Sequence, residues 1–297
     1  MGTATAQTAA ARLEAIVRDI DRLPPMPANV SRIVQALDNP KTGAGQIADL
    51  ISLDQALTAN VLRVANSALL GYGSNCVTVQ DAVMRVGFAR IRTVVLGAVA
   101  ATQLNQRLSG YRLASDELWH HALVSASTAR YLASALRYPN QEEAYVAGLL
   151  HDIGKVVLDR HMREAYETVV GLMSDTGLLM WQAEEQVFGV SHGNVGGQMT
   201  SQWQFPASLV NAIKHHHFPS FAGQAHQRLA AIIHIADNLA PRPTAGKAAL
   251  NTAVIHPEAF RILNLDEPQL ERLKSYMPGG GAAVENPTAP QIRERPR

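Results

Sequence analysis

The sequence is nearly without cysteine. A single thiol, Cys76, in 297 residues excludes an internal disulfide and a thiolate zinc cage, and it fits a reducing compartment. Metal ligands, if the chain uses any, must then be His, Asp or Glu. A charge bias is also missing: 26 Lys and Arg face 25 Asp and Glu, so no global field steers the chain toward nucleic acid or an anionic membrane. Either partner would need a local patch. The most apolar internal run, residues 94–101, is too short to span a bilayer, and the opening MGTATAQTAA has neither the basic start nor the long apolar stretch of a signal peptide. These absences predict a cytoplasmic protein with no membrane association. Sustained strand alternation is lacking as well, which leaves helical periodicity to describe nearly the whole chain.

That periodicity predicts an all-α fold of many helices. Leu13, Ile16, Val17, Ile20 and Leu23 recur at spacings of three and four, the stripe of an amphipathic helix that Pro24, Pro25 and Pro27 end. Similar stripes predict helices at 28–37, 44–52, 55–68 and 89–107. Thr78 followed by Asp81 reads as the cap of another, which Gly87 closes. A second block starts near residue 114, with helices expected at 115–137, 141–151, 162–175, 178–187, 192–203, 206–216 and 226–240 and two short ones after them. The expected organisation is an N-terminal helix (1–22), an N-terminal helical subdomain (23–110), a subdomain able to carry a metal site (111–277) and a disordered tail (278–297), rich in Pro, Gly and charge.

Histidines gather in the second block, beside carboxylates. Glu117 and His121 lie four apart on one helix face, where the residues alone favour a surface Glu with an interfacial His over a ligand pair. His151 and Asp152 end an apolar helix, with Gly154 placed to stop it. Adjacent helical residues project about 100° apart, so both reach one metal cluster only near a helix end or with two ions between them. Lys155 would offer an ammonium to a phosphate. A plain polar helix end explains the doublet equally well. His192 opens a helix whose Gly193, Gly196 and Gly197 permit close backbone approach. His215, His216 and His217 end another helix, more histidine than dipole complementarity requires. His234 and Asp237 share one face of an apolar helix, where a carboxylate calls for a cation or hydrogen-bond donors.

Taken in order, His121, His151 and Asp152 with Lys155, His192, His216, His217 and Asp237 resemble the HD metal-dependent phosphohydrolase superfamily. The stretches LPPMPANVSRIVQAL at 23, IADLISLDQALTANVLRVANSALLGY at 47, VTVQDAVMRVGFARIRTVVL at 77, ELWHHALVSA at 117, EEQVFGVSHGNVGG at 184 and IKHHHFP at 213 resemble, more narrowly, its HDOD branch over about residues 23–240. The resemblance implies an N-terminal helical subdomain packed on an HD-like helical domain, in a bacterial signalling or regulatory protein with a protein partner. It also implies a ligand set of the two-metal HD-GYP type: His151, Asp152, His192, His216, His217 and Asp237, to which Glu117 and His121 add a third-metal pair.

The GYP signature itself is absent, because FPSFAGQAHQ follows the histidine triple. By this reading the cofactor is one to three divalent transition metal ions, with Fe or Mn expected; a nitrogen and oxygen ligand set without thiolate favours Fe, Mn, Co, Ni or Zn over Ca and does not choose among them. Asp152 would bridge two ions and, with Lys155 neutralising phosphoryl oxygens, form the catalytic pair for in-line attack by an activated water. His234 would orient a ligand from behind. Three function classes follow: a metal-holding signalling module, a phosphohydrolase acting on a nucleotide or cyclic dinucleotide, and a nucleic-acid binder using Arg85, Arg90 and Arg92. The last is the weakest, because arginines so spaced are usually a solvated face.

Overall fold

Amphipathic stripes of the required spacing become helices throughout, and the protein is all-α. The computed structural model describes residues 2–22, 26–66, 76–242, 254–275 and 277. The tail from 278, expected to be disordered, lies outside them. Among the described residues there is no strand, only one isolated antiparallel bridge between Leu108 and Leu113.

The described residues divide into two compact units, one within 26–101 and the other within 1–22 and 102–277. In the first lie α2 (Ala28–Asp38), α3 (Ala44–Ser52), α4 (Gln55–Ala65), α5 (Val79–Val86) and most of α6 (Phe88–Leu104). Its core is aliphatic, with Ile33, Ile47, Ile51, Val61, Val83, Ile91 and Val95 inaccessible to solvent. Asp54 caps α4 by accepting from the Ala56 and Leu57 N–H groups at 2.9 and 3.0 Å. Thr78 Oγ1 accepts from Asp81 N at 3.1 Å, so the predicted cap opens α5. Gly87 adopts φ +82° between α5 and α6, a conformation that favours glycine. Arg92, one of the three arginines considered for nucleic acid, is ion-paired with Asp38.

The second unit begins with α1 (Gly2–Asp21) and continues through α7 (Glu117–Ala135), α8 (Gln141–Leu150), α9 (Gly154–Thr176), α10 (Met180–Phe188), α11 (His192–Gln202), α12 (Ala207–Lys214), α13 (Gln227–Leu239), α14 (Pro257–Leu263) and α15 (Glu267–Ser275). The first of these packs on α9, α10 and α11 through the buried Ile16 and Ile20, with Asp19 Oδ2 2.9 Å from His161 Nε2. Helix α13 is the hub, touching α7, α8, α12 and α14. Every residue from Leu229 to Asp237 on it is buried, as a helix apolar on all sides should be.

One expected boundary moves substantially. Helix α9 starts at Gly154 rather than at 162, because Val157, Leu158, Met162, Ala165, Val169 and Met173 form a continuous buried stripe. Gly154 therefore opens this helix and does not serve as the stop of the preceding one. What requires glycine there is proximity: a Cβ would sit 2.0 Å from the His192 carbonyl oxygen and 2.6 Å from Gly196 N. The bare backbone lets α9 and α11 touch, and so brings Asp152 against His192.

Candidate metal centre

Five helices of the second unit deliver polar side chains into its apolar interior. Helix α7 carries His121, the end of α8 carries His151 and Asp152, and the first residue of α11 is His192. The turn after α12 carries His216 and His217, while α13 contributes His234 and Asp237. His121, His151, Asp152, His192, His216, His234 and Asp237 are all buried. Three sets among them offer ligand atoms mutually within 4.8 Å: His192, His216 and His217; His121, His151 and Asp237; and His151, Asp152 and His216. Helix α8 ends at Leu150 with His151 at its C-cap, and His151 Nε2 comes within 3.5 Å of Asp152 Oδ2. The doublet therefore converges.

Hydrogen bonds fix the ring nitrogens. His151 Nδ1 lies 2.7 Å from the Gly148 carbonyl and His216 Nδ1 2.7 Å from the Ile213 carbonyl. A carbonyl only accepts, so both Nδ1 atoms carry hydrogen. The Nε2 atoms of these two rings are buried with no hydrogen-bond partner, in an interior where an unsatisfied polar atom costs roughly 1–3 kcal/mol. Burial keeps the His216 ring neutral, so its Nε2 is a bare lone pair. Burial opposes charging His151 too, but Asp152 and Asp237 prevail and raise its pKa, so a metal ion there would take the place of a proton among the carboxylates. His121 gives the same result: Nδ1 is 3.0 Å from the Pro241 carbonyl, which turns Nε2 toward Asp237 Oδ1 at 3.1 Å. Two acceptors face each other at that distance only around a proton or another cation. The residues present thus fit divalent ions held by nitrogen and oxygen.

His192 is held differently. Its Nδ1 lies 2.6 Å from Glu184 Oε2, which also accepts from the His192 backbone N–H at 2.8 Å. Its Nε2 is 3.2 Å from Asp152 Oδ1 and 2.8 Å from His217 Nε2. Burial opposes charging this ring, but the Glu184 carboxylate, aided by Asp152, prevails and raises its pKa to about 9. Burial, and then the neighbouring histidines, push His216 and His217 well below the usual value. Those two rings are neutral and ready to ligate. Although burial alone would protonate them, Asp152 is kept anionic by Lys155 and the histidines, and Asp237 by His121, His151 and Arg242.

The cluster opens to a cleft of about 390 Å3, whose wall includes Lys155, Trp181, His217, Asn238 and Arg242. Lys155 Nζ reaches Asp152 Oδ2 at 2.6 Å, and the Trp181 ring stacks on His217 at 5.5 Å and 12°. His234 donates from Nδ1 to the His216 carbonyl at 2.8 Å and accepts at Nε2 from His256 N at 2.9 Å. Both of its nitrogens are thus committed to backbone, and it holds the His216 segment. Glu117 stands apart from the three sets, with its carboxylate accepting from Ala114 N at 2.6 Å at the start of α7.

Sequence reasoning missed the role of Glu184, which was within reach. Ala183, Glu184, Val187 and Phe188 form the buried face of α10, and a carboxylate in the middle of an apolar stripe signals a buried donor. Arg242 and Trp181 gave no comparable signal, since one follows a proline and the other opens an ordinary helix.

The HDOD domain profile matches residues 23–219, ending short of Asp237. An uncharacterized protein of Treponema pallidum (strain Nichols) is 28% identical over 233 residues, 78% of this chain but 45% of that protein. The chain therefore spans about half the length of the curated relative it matches. A solved HDOD domain protein of unknown function from Geobacter sulfurreducens is 26% identical with TM-score 0.66, covering 91% of this chain and 95% of that one. A solved candidate phosphohydrolase from Shewanella amazonensis SB2B has 22% identity and TM-score 0.64, over 88% and 93% of the two chains. At that identity the likeness is one of fold.

Proposed function

We propose, from the premise that this chain belongs to the HDOD domain family, that it is a signalling or regulatory protein with an intact divalent metal centre and a phosphoester-binding cleft. The observation that carries the reading is the pair of buried Nε2 atoms of His151 and His216 that have no hydrogen-bond partner beside Asp152 and Asp237. His121, His151 and Asp237 would hold one ion, and His192, His216 and His217 another. Asp152 reaches toward both, with Oδ1 3.2 Å from His192 Nε2 and Oδ2 3.7 Å from His121 Nε2. Fe or Mn suits this donor set, and a protein partner would receive the signal.

A second reading, turnover of the phosphoester, is favoured by the cations on the cleft wall. Lys155 and Arg242 stand where phosphoryl oxygens would lie next to the ligand cluster, and both can donate charge-assisted hydrogen bonds. When bound, divalent ions supply Lewis acidity and an activated water for attack at phosphorus. Among the residues of this chain, Asp152 orients Lys155, and Trp181, stacked on His217, supplies a flat apolar wall. The name of the Shewanella protein agrees with this reading.

The test is a calorimetric titration of metal-loaded protein with phosphate and a panel of nucleoside monophosphates and cyclic dinucleotides, alongside a phosphate-release assay. Binding without release supports the regulatory reading, and release at more than one turnover per chain supports hydrolysis. Neither binding nor release removes the phosphoester from both.

A further inference from the structure

The histidines of the cluster are not backed alike. His121, His151 and His216 each place Nδ1 on a backbone carbonyl, whereas His192 places it on the carboxylate of Glu184 at 2.6 Å. Glu184 is inaccessible to solvent and its oxygens are shared out: Oε2 accepts twice from His192, and Oε1 accepts from Tyr111 Oη at 2.8 Å. Tyr111 is fixed in turn. Asp159 Oδ1 accepts from the Gly110 and Tyr111 N–H groups at 2.7 and 3.1 Å, and a Cβ on Gly110 would lie 1.9 Å from the Asp159 carbonyl oxygen. The turn that presents Tyr111 is thus pinned to α9, the helix that follows Asp152.

A carboxylate behind an imidazole fixes its tautomer and orientation and increases its basicity as a ligand beyond what a carbonyl achieves. The two ligand loci therefore differ. The locus of His192, His216 and His217 has this backing, and the locus of His121, His151 and Asp237 has only carbonyls behind its rings. We propose that Glu184, tethered by Tyr111, is a positioning residue that makes the His192 locus the tighter of two metal sites, so that the centre fills in order. This rests on the metal-centre reading above.

The experiment is a titration of chelator-stripped full-length protein with Co(II), followed by calorimetry and by visible absorption, which reports nitrogen ligation without any turnover. Wild type should take up two ions in distinguishable steps. Glu184→Gln keeps an acceptor for the His192 backbone N–H while removing the anion, and should weaken the first step roughly 10–100-fold and leave the second within about 3-fold. Tyr111→Phe, which retains the carboxylate, should weaken the same step by a smaller factor. It also serves as the test should Glu184→Gln not fold. A merely structural Glu184 would weaken both steps alike or neither, and either result overturns the proposal. Two equal steps in wild type overturn it too, while leaving the metal centre standing. No uptake by wild type overturns both.

Discussion

His192 and His217 meet Nε2 to Nε2 at 2.8 Å, a contact in which only one ring can supply the proton. Glu184 raises His192 to a pKa of about 9, while burial and the adjacent rings hold His217 low. His192 is therefore the donor. A metal ion taken up here must displace that proton.

The first prediction concerns pH and metal-free protein. A histidine whose folded pKa is raised from 6.5 to about 9 stabilises the fold fully below pH 6.5, and that stability is lost as pH rises through 9. The loss is of the order of 3 kcal/mol, at about 1.4 kcal/mol per pKa unit. Chelated protein should accordingly melt lower at pH 9.5 than at pH 7. Metal affinity should run the other way, rising over this window, with proton release measurable by calorimetry in buffers of different ionisation enthalpy. A melting temperature of chelated protein that climbs from pH 7 to 9.5 contradicts the assignment.

Lys155→Ala should leave metal uptake intact, because an ammonium is no ligand. Its contact with Asp152 means that the variant removes a cation from beside the ligand cluster, so metal affinity should hold or rise. Phosphate binding by the loaded protein should fall about 10-fold, the worth of one charge-assisted hydrogen bond. Parallel loss of metal and phosphate would show that Lys155 instead maintains the ligand geometry.

Gly154→Ala tests the contact between α9 and α11. A methyl group 2.0 Å from the His192 carbonyl oxygen cannot be accommodated without separating the helices. Overpacking of this kind costs about 1–3 kcal/mol or more. Thermal denaturation should show that loss, and metal uptake should weaken with it because Asp152 and His192 move apart. Gly171→Ala, where a Cβ meets nothing within 4 Å, is the control and should be neutral or slightly stabilising.

Periodicity and end signals made most of this fold legible. Helices α3, α5 and α11 begin where caps and stripes place them, the histidines and aspartates in chain order carried the resemblance to the HD superfamily, and long stretches such as LPPMPANVSRIVQAL carried the narrower one to HDOD proteins. The start of α9 was not legible, because Gly154 reads locally as a terminator and its true constraint is a contact with a helix nearly forty positions away. That Glu184 is buried was legible from the apolar stripe of α10, but its partner Tyr111, 73 positions away, was not. His234 was legible as a supporting residue on α13, but its two backbone partners depend on the fold. Arg242 belongs to the cleft through the path of the chain after α13, which no local pattern encodes.

Elemental analysis of protein purified without chelator or histidine tag, with melting measured before and after chelation, decides whether His151 and Asp152 are ligands or a polar helix end. Wild type should carry at least one transition metal ion per chain, lose it to strong chelators, and melt lower without it, since metal that binds only the native state adds to its stability. The double variant His151→Asn, Asp152→Asn should be metal-poor and should gain nothing from added Mn or Fe. Wild type that is metal-free as isolated, and whose melting temperature is unchanged by every divalent ion tried, would contradict the account.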